Sequence, residues 1–170
     1  MSSSELVRRR LMLAATGAAL LAGCGFHLRQ PLPLHFRSIA LTGFAPRSPL
    51  AQELRRALAL QLHVMAVPAD ARNSADVVLH ALADARERSV VAQTSAAQVR
   101  DIQLRVRLQF SAQTPAGREL LAPATLLLAR DMSFNETAAL AKAHEELELY
   151  REMQTDVVSQ VLRRLASIKL

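Results

Sequence analysis

The sequence predicts an α+β fold, a two-layer sandwich in which two helices pack on one face of a mixed or antiparallel sheet of about four strands. Three observations lead to this prediction. Apolar and polar side chains alternate strictly over residues 102–110. Apolar side chains recur at helical spacing after Ser48 and again near the C-terminus. The element order is strand, helix, several strands, helix, which is typical of a sheet with helices on one side.

The N-terminal part of this domain begins with a strand and a helix. Arg37 to Thr42 suits a first strand that ends at Gly43, and Ser48-Pro49 then suits a helix start, because serine caps free N–H groups and proline is tolerated at the first helical position. One apolar stripe on a helix of about four turns comprises Leu50, Leu54, Ala57, Leu58 and Leu62. Residues Val64 to Val67 suit a short second strand.

The middle of the chain is predicted to be β. An apolar run from Asp76 to Ala83 continues, with a bend, through Val90 and Val91, and the pattern leaves open how residues 84–98 divide between strand and loop. The clearest strand is 102–110, where alternation at period two separates a core face from a wet face. The core face carries Ile102, Leu104, Val106, Leu108 and Phe110, and the wet face carries Gln103, Arg105, Arg107 and Gln109.

The last strand and the last helix follow a turn. Thr114-Pro115-Ala116-Gly117 has turn chemistry, and Arg118 to Phe134 returns as a strand in which Pro123 marks a bulge, an edge or the true strand start. The helix cap is either the box Ser133–Glu136, or Asn135, or Thr137. The helix is about 30 residues, roughly 45 Å, long. Its apolar positions are Leu140, Ala141, Leu147, Tyr150, Val157, Val158, Val161, Leu165 and Ile168.

Two helices leave the second face of the sheet without a covering element. A solvated polar face is the ordinary outcome for such a sheet. The alternative is that Gln103, Arg105, Arg107 and Gln109 meet a partner or a polar ligand.

The N-terminus has the pattern of a lipoprotein signal. A cluster from Arg8 to Arg10 precedes an uncharged stretch from Leu11 to Leu21, which is too short to span a bilayer and ends in Leu21-Ala22-Gly23-Cys24. Cys24 is the only cysteine in the chain. We therefore expect a signal peptide over residues 1–23, export by the secretory or the twin-arginine route, and a covalent lipid carrying chains such as palmitate on Cys24. A lipidated tether, 24–34, then precedes a single domain, 35–170.

Composition and motifs argue against several function classes. The net charge is +6, but aromatic residues make up only 4% of the chain and there is no basic run in the expected domain, so nucleic acid is not an expected partner. No nucleophile elbow, P-loop or dinucleotide glycine motif is present. The sequence therefore predicts neither an enzyme nor a metal site, and no cofactor besides the lipid. The histidines are scattered along the sequence at His27, His35, His63, His80 and His144.

The segment Cys24-Gly25-Phe26-His27-Leu28-Arg29 resembles the Cys-Gly-aromatic-X-Leu-Arg opening of the LptE family of lipopolysaccharide-assembly lipoproteins. The C-terminal helix also resembles the closing helix of that family, at Glu145 or Glu146, Arg151-Glu152-Met153, Asp156, Gln160 and Arg163-Arg164-Leu165. The resemblance implies a non-catalytic outer-membrane lipoprotein, facing the periplasm, that plugs the LptD β-barrel one to one, helps the barrel to assemble and can bind lipopolysaccharide. Gly25, where an aspartate would imply retention in the inner membrane, agrees with that location.

Lipopolysaccharide is phosphorylated and acylated, so its binding requires cations beside apolar surface. Lys142 matches a position where the family carries a basic residue. Three arginines at or near the central strand are further candidates for binding lipopolysaccharide, because they are cationic: Arg100, Arg105 and Arg107. The alternative function is a small-ligand carrier, or an accessory subunit of another envelope complex, with the same lipid anchor.

Overall fold

A computed structural model of the protein describes residues 33–61, 63–95 and 98–170. Cys24, the expected signal peptide and most of the expected tether lie outside the described residues, as does Leu62. The strands are β1, Ser38–Thr42; β2, Met65–Val67; β3, Val77–Gln93; β4, Val99–Gln113; and β5, Glu119–Ser133. The helices are α1, Pro49–Ala59, and α2, Ala139–Leu165, and two 3₁₀ segments cover Ala69–Ser74 and Glu136–Ala138.

The strands form one five-stranded sheet in the order β2-β1-β3-β4-β5. Strand β1 runs parallel to both β2 and β3, whereas β3, β4 and β5 form antiparallel pairs. The predicted mixed α+β sandwich is therefore confirmed. The sheet has five strands where about four were predicted, and the short strand expected at Val64 to Val67 is β2, which pairs with β1 from Ser38 opposite Met65 onward.

Helix α1 begins where the sequence indicated. Ser48 is its N-cap and accepts a hydrogen bond from the Ala51 N–H at 3.0 Å, with Pro49 in the first turn. The helix contains 11 residues, about three turns, so the predicted four turns are wrong. Its stripe of leucines, at Leu50, Leu54 and Leu58, is buried against the sheet.

The alternation over residues 102–110 is confirmed within the longer strand β4. Its five apolar side chains are each at most 1% exposed and form the centre of the core between the sheet and the helices. Burial of a side chain of this size contributes roughly 1.5–3 kcal/mol, so this strand anchors the sandwich.

The sequence left open where the strand ends within residues 84–98. In the structure β3 continues to Gln93. Strand β5 lies at the edge of the sheet, and its register shifts between Phe110 opposite Ala124 and Ala112 opposite Leu121. Pro123 lies in that shift. Of the three alternatives for this proline, the structure therefore combines the bulge and the edge. Both positions tolerate proline because neither requires a backbone N–H that donates to a neighbouring strand.

Helix α2 contains 27 residues, and Asn135 is the cap of the 3₁₀ turn that leads into it, accepting from the Thr137 N–H at 3.0 Å. Its buried residues begin only at Tyr150. Leu140 and Leu147 are exposed, so the predicted continuous apolar stripe is wrong over the first half of the helix. None of the helices in the described residues combines the length and apolar character needed to cross a bilayer.

The second face of the sheet is partly covered. Ala75 follows the 3₁₀ segment Ala69–Ser74 and packs with Ala40 and Val78 in a small separate apolar cluster. These residues lie opposite the main core, since Ile39 and Leu79 face the helices. The expectation that no element covers this face is therefore wrong at its β1 end.

Candidate functional site: a cationic end of the sheet

A bulge in β3 decides which side chains face the helices. Ala81 is paired with Phe110 and Ala83 with the neighbouring Gln109, so Leu82 is an extra residue in β3. One extra residue inverts the alternation that follows, because successive side chains point to opposite faces of a sheet. Odd-numbered residues of β3 face the core up to Ala81, and even-numbered residues do so from Asp84 to Val90, where the register shifts again.

Three charged residues of β3 consequently lie on the helix-covered face. They are Asp84, Arg86 and Arg88, which pair with the buried Leu108, Val106 and Leu104 of β4. Each makes a contact with the helical layer. Asp84 accepts a hydrogen bond from Ser48 Oγ at 2.5 Å, and the Arg86 guanidinium lies 5.1 Å from the centroid of the Tyr150 ring. Arg88 Nε donates to Glu146 at 3.2 Å.

Arg88 lies at one end of the sheet beside an aromatic ring. Its guanidinium is 5.7 Å from the centroid of Phe134, the residue that directly follows β5. A guanidinium over an aromatic face is held by the electrostatic attraction of the ring. Arg88 is thus positioned by Phe134 on one side and Glu146 of α2 on the other.

Lys142 approaches the same segment from the first turn of α2. Its ammonium donates to Ser133 Oγ at 3.2 Å and to Glu145 at 2.8 Å, and its side chain is 19% exposed. A lysine held by two partners loses less conformational freedom when it meets a further acceptor than a freely rotating one does.

Arg100, at the start of β4, completes the cluster. Its carbonyl oxygen accepts the Phe134 N–H at 2.6 Å. Arg100 and Phe134 line a shallow cavity of about 340 Å³ together with residues of the β3–β4 connection and of the 3₁₀ turn before α2. We call Arg88, Arg100, Lys142 and Phe134 the cationic end of the sheet.

Apolar surface occurs at the same end. Val90, paired with Ile102, and the adjacent Val91 are exposed, and so is Leu140 in the first turn of α2. Large exposed aliphatic side chains beside fixed cations can receive a molecule that has both acyl chains and anionic groups.

Arg105 and Arg107, the other two candidates from the sequence, lie on the opposite face of the sheet. Arg105 Nε donates to Gln103 at 2.7 Å, and Arg107 is 3.3 Å from Glu87. The structure therefore brings Arg100 together with Lys142 and separates both from Arg105 and Arg107. Cys24, the expected lipid attachment site, lies outside the described residues.

Arg88 and Phe134 were missed as site residues by the sequence analysis. Continuing the alternation of Val77, Leu79 and Ala81 through Ala83 assigns Arg88 to the wet face. No turn residue marks Leu82 as an insertion. The position of Arg88 follows from the register of β3 against β4.

Comparison with known sequences identifies one family. A family model described as "LptE: Lipopolysaccharide-assembly" matches residues 36–165. Two similar proteins are both named LPS-assembly lipoprotein LptE. The one from Pectobacterium atrosepticum is 29% identical over 166 residues, which cover 95% of this chain and 88% of that protein. The one from Photorhabdus laumondii is 30% identical over 169 residues, with the same coverage of both chains.

Comparison with solved structures agrees on the fold. The solution structure of an uncharacterized lipoprotein B from Nitrosomonas europaea superposes with a TM-score of 0.68 at 27% identity. The match covers 84% of this chain and 91% of that one. The sheet and helices described above are thus shared with an experimentally determined lipoprotein.

Proposed function

Because the family model covers most of the chain, the protein belongs to the LptE family, and from this premise we propose that it acts in lipopolysaccharide assembly as an outer-membrane lipoprotein. The family predicted from the sequence is thereby confirmed. In the proposed function, lipid on Cys24 holds the domain at the membrane, and the domain plugs an LptD-like barrel and helps it to assemble. The carrier alternative is not favoured by the family match.

One observation carries the lipopolysaccharide part of the proposal, namely the cationic end of the sheet. Arg88 lies over the Phe134 ring, the main-chain oxygen of Arg100 accepts the Phe134 N–H, and Lys142 donates to the preceding Ser133, while exposed aliphatic side chains occur at the same end of the sheet. A guanidinium binds phosphate through two parallel hydrogen bonds and an ammonium binds it as a point charge. We propose that these cations bind the phosphorylated part of the glycolipid while Val90, Val91 and Leu140 contact its acyl chains.

The polar face of β4 supports the barrel part of the proposal. On this face Arg105 donates to Gln103 at 2.7 Å, and Gln103 in turn donates to Asp131 at 2.8 Å. Arg107 donates to Glu87 at 3.3 Å. A surface of fixed charges and amides suits the polar interior of a large β-barrel. In this function the protein binds and positions its partners, and no chemical step is assigned to any residue.

Two matched double variants separate these roles. Arg100→Glu with Lys142→Glu reverses charge at the cationic end, and Arg105→Glu with Arg107→Glu reverses the same charge on the opposite face. We expect the first pair to weaken lipopolysaccharide binding by about tenfold or more, since each lost charged hydrogen bond is worth roughly 1.5–3 kcal/mol. The second pair should leave that binding within about twofold and weaken retention of the barrel.

The measurement is lipopolysaccharide capture by the purified full-length protein, with thermal unfolding of each variant as the folding control. Equal loss of capture in both pairs, with both folded, would contradict a site at the cationic end.

Affinity purification of the full-length protein from detergent-solubilised outer membranes tests the partner. A stoichiometric large barrel protein is expected, and its absence with a folded, lipidated bait would overturn the plug proposal.

A further inference from the structure

A second cationic site lies between the two helices. A cleft of about 400 Å³ opens between α1 and α2 above β3, and the side chains that matter for its chemistry are Arg56, Arg86, Arg151, Glu53, Leu147 and Gln154. It shares no lining residue with the cavity at the cationic end of the sheet. The cleft therefore needs its own explanation.

Gln154 is the first observation that indicates a ligand. The residue is only 5% exposed, yet its amide nitrogen Nε2 is buried without a hydrogen-bond partner among the described residues. A buried donor without an acceptor costs about 1–3 kcal/mol. Since the nitrogen of a glutamine amide can only donate, the group that would satisfy it is an acceptor oxygen.

The arginines are the second observation. Arg56 is paired with Glu53 at 2.9 Å, Arg151 is paired with Glu148, and Arg86 lies over the Tyr150 ring. A guanidinium has five N–H donors, and one carboxylate engages at most two in a bidentate pair. Each of the three arginines therefore keeps donors for a further anion. The residues that line the cleft include three arginines and one carboxylate, Glu53, so the lining carries an excess of positive charge.

The three arginines come from three different elements. Arg56 is on α1, Arg86 on β3 and Arg151 on α2, and Gln154 is one turn further along α2. A carboxylate has two coplanar oxygens, which one guanidinium already matches. Donors that approach from three elements suit an anion with more acceptor oxygens, pointing in several directions, as in a phosphate group.

We propose that the interhelical cleft binds a phosphate group, through Arg56, Arg86 and Arg151 with the Gln154 amide as a further donor. Leu147 is exposed at the cleft and offers apolar contact to whatever carries the phosphate. The proposal does not depend on the lipopolysaccharide site, since the residues are different. The phosphate comes either from a free anion or from a phospholipid headgroup.

The test uses the full-length protein in a non-ionic detergent, titrated calorimetrically at constant ionic strength. The probes are pyrophosphate, the short-chain phospholipid dihexanoylphosphatidylglycerol, and citrate as a carboxylate. We expect saturable binding of at least one phosphate probe, and weaker binding of citrate. Tighter binding of the phospholipid identifies a headgroup as the source of the phosphate, and tighter binding of pyrophosphate identifies a free anion.

Variants locate the binding. Arg86→Gln with Arg151→Gln should weaken phosphate binding by about tenfold or more, and Arg55→Gln with Arg118→Gln, a matched exposed pair outside the cleft, should change it by less than about twofold. Gln154→Met should weaken binding and at the same time raise the melting temperature, because it removes the unpartnered donor. Absence of saturable phosphate binding, stronger binding of citrate, or an unchanged affinity in the Arg86/Arg151 variant would overturn the proposal.

Discussion

The hydroxyl group of Tyr150 donates a hydrogen bond to the main-chain carbonyl oxygen of Glu87 at 2.9 Å, joining α2 to β3 across 63 residues of sequence. The ring also lies under the Arg86 guanidinium. Burial raises the pKa of the Tyr150 phenol, and the nearby Glu146 carboxylate adds to that increase. The contact therefore depends on a protonated phenol at the point where the helix meets the bulged strand.

Tyr150 makes stability depend on pH in alkaline solution. A phenol whose folded-state pKa lies above the unfolded value of about 10 stabilises the protein fully below that pH. The contribution is lost as the pH rises from the unfolded pKa through the raised one. Because Tyr150 is the only tyrosine and there is no tryptophan, the ultraviolet absorbance of the phenolate reports this residue alone.

We expect Tyr150→Phe to lower the free energy of unfolding by about 1 kcal/mol at neutral pH and to abolish that part of the alkaline dependence. Urea unfolding at several pH values measures both effects. A phenol that titrates with its ordinary pKa in the folded protein would contradict the interpretation.

Gly43 closes β1 where no side chain fits. Its φ is +76°, and a Cβ at this position would lie 2.2 Å from the carbonyl oxygen of Ala81. Gly117 is the matched control, because it also has positive φ, +89°, but a Cβ there meets no atom within 4 Å. We expect Gly117→Ala to cost about 1–2 kcal/mol from backbone strain, and Gly43→Ala to cost about 2 kcal/mol more. Equal melting temperatures for the two variants would contradict the prediction.

Asp76 ties the start of β3 to the start of β1. Its Oδ2 accepts the N–H groups of Arg37 at 2.8 Å and Ser38 at 3.0 Å, and the hydrogen bond from the Arg37 N–H is the largest cause of its lowered pKa. A carboxyl with a depressed folded-state pKa stabilises the protein above its unfolded pKa of about 3.9. The contribution is lost as the pH falls through the lower folded value.

We expect Asp76→Asn to destabilise the protein by about 1–2 kcal/mol at neutral pH, a value reduced for partial exposure. The difference from the parent protein should disappear in acid. Denaturant unfolding of both proteins between neutral and acidic pH provides the measurement, and a difference that persists unchanged in acid would exclude the carboxylate as its source.

The two halves of α2 should respond differently to the same substitution. Leu165 is 0% exposed, whereas Leu140 is 83% exposed. Leu165→Ala should lower the free energy of unfolding by about 2–5 kcal/mol, from lost burial and the cavity left behind. Leu140→Ala should change it by less than about 0.5 kcal/mol. Chemical unfolding of the two variants compares them directly, and a large loss for Leu140→Ala would mean that the start of α2 packs more tightly than the structure shows.

The main elements of the architecture could be predicted from local sequence patterns. Alternation over 102–110 predicted the central strand, Ser48-Pro49 predicted the start of α1, and the segment around Thr114 to Gly117 predicted a hairpin turn. These features depend on neighbours within a few residues along the chain, so a local pattern is sufficient to find them. The family, too, was identified from short motifs and the element order.

Which side chains share a site depends on the pairing of the strands and the packing of the helices. The extra residue Leu82 reverses the faces of β3, so Arg86 and Arg88 lie on the helix side of the sheet, where both remain exposed, although the alternation before the bulge assigns them to the opposite face. Likewise, Arg100 is grouped with Lys142 through Ser133 and Phe134, while Arg105 and Arg107 are on the other face. The reason is physical, since a bulge is a property of the pairing of two strands and not of one strand's sequence.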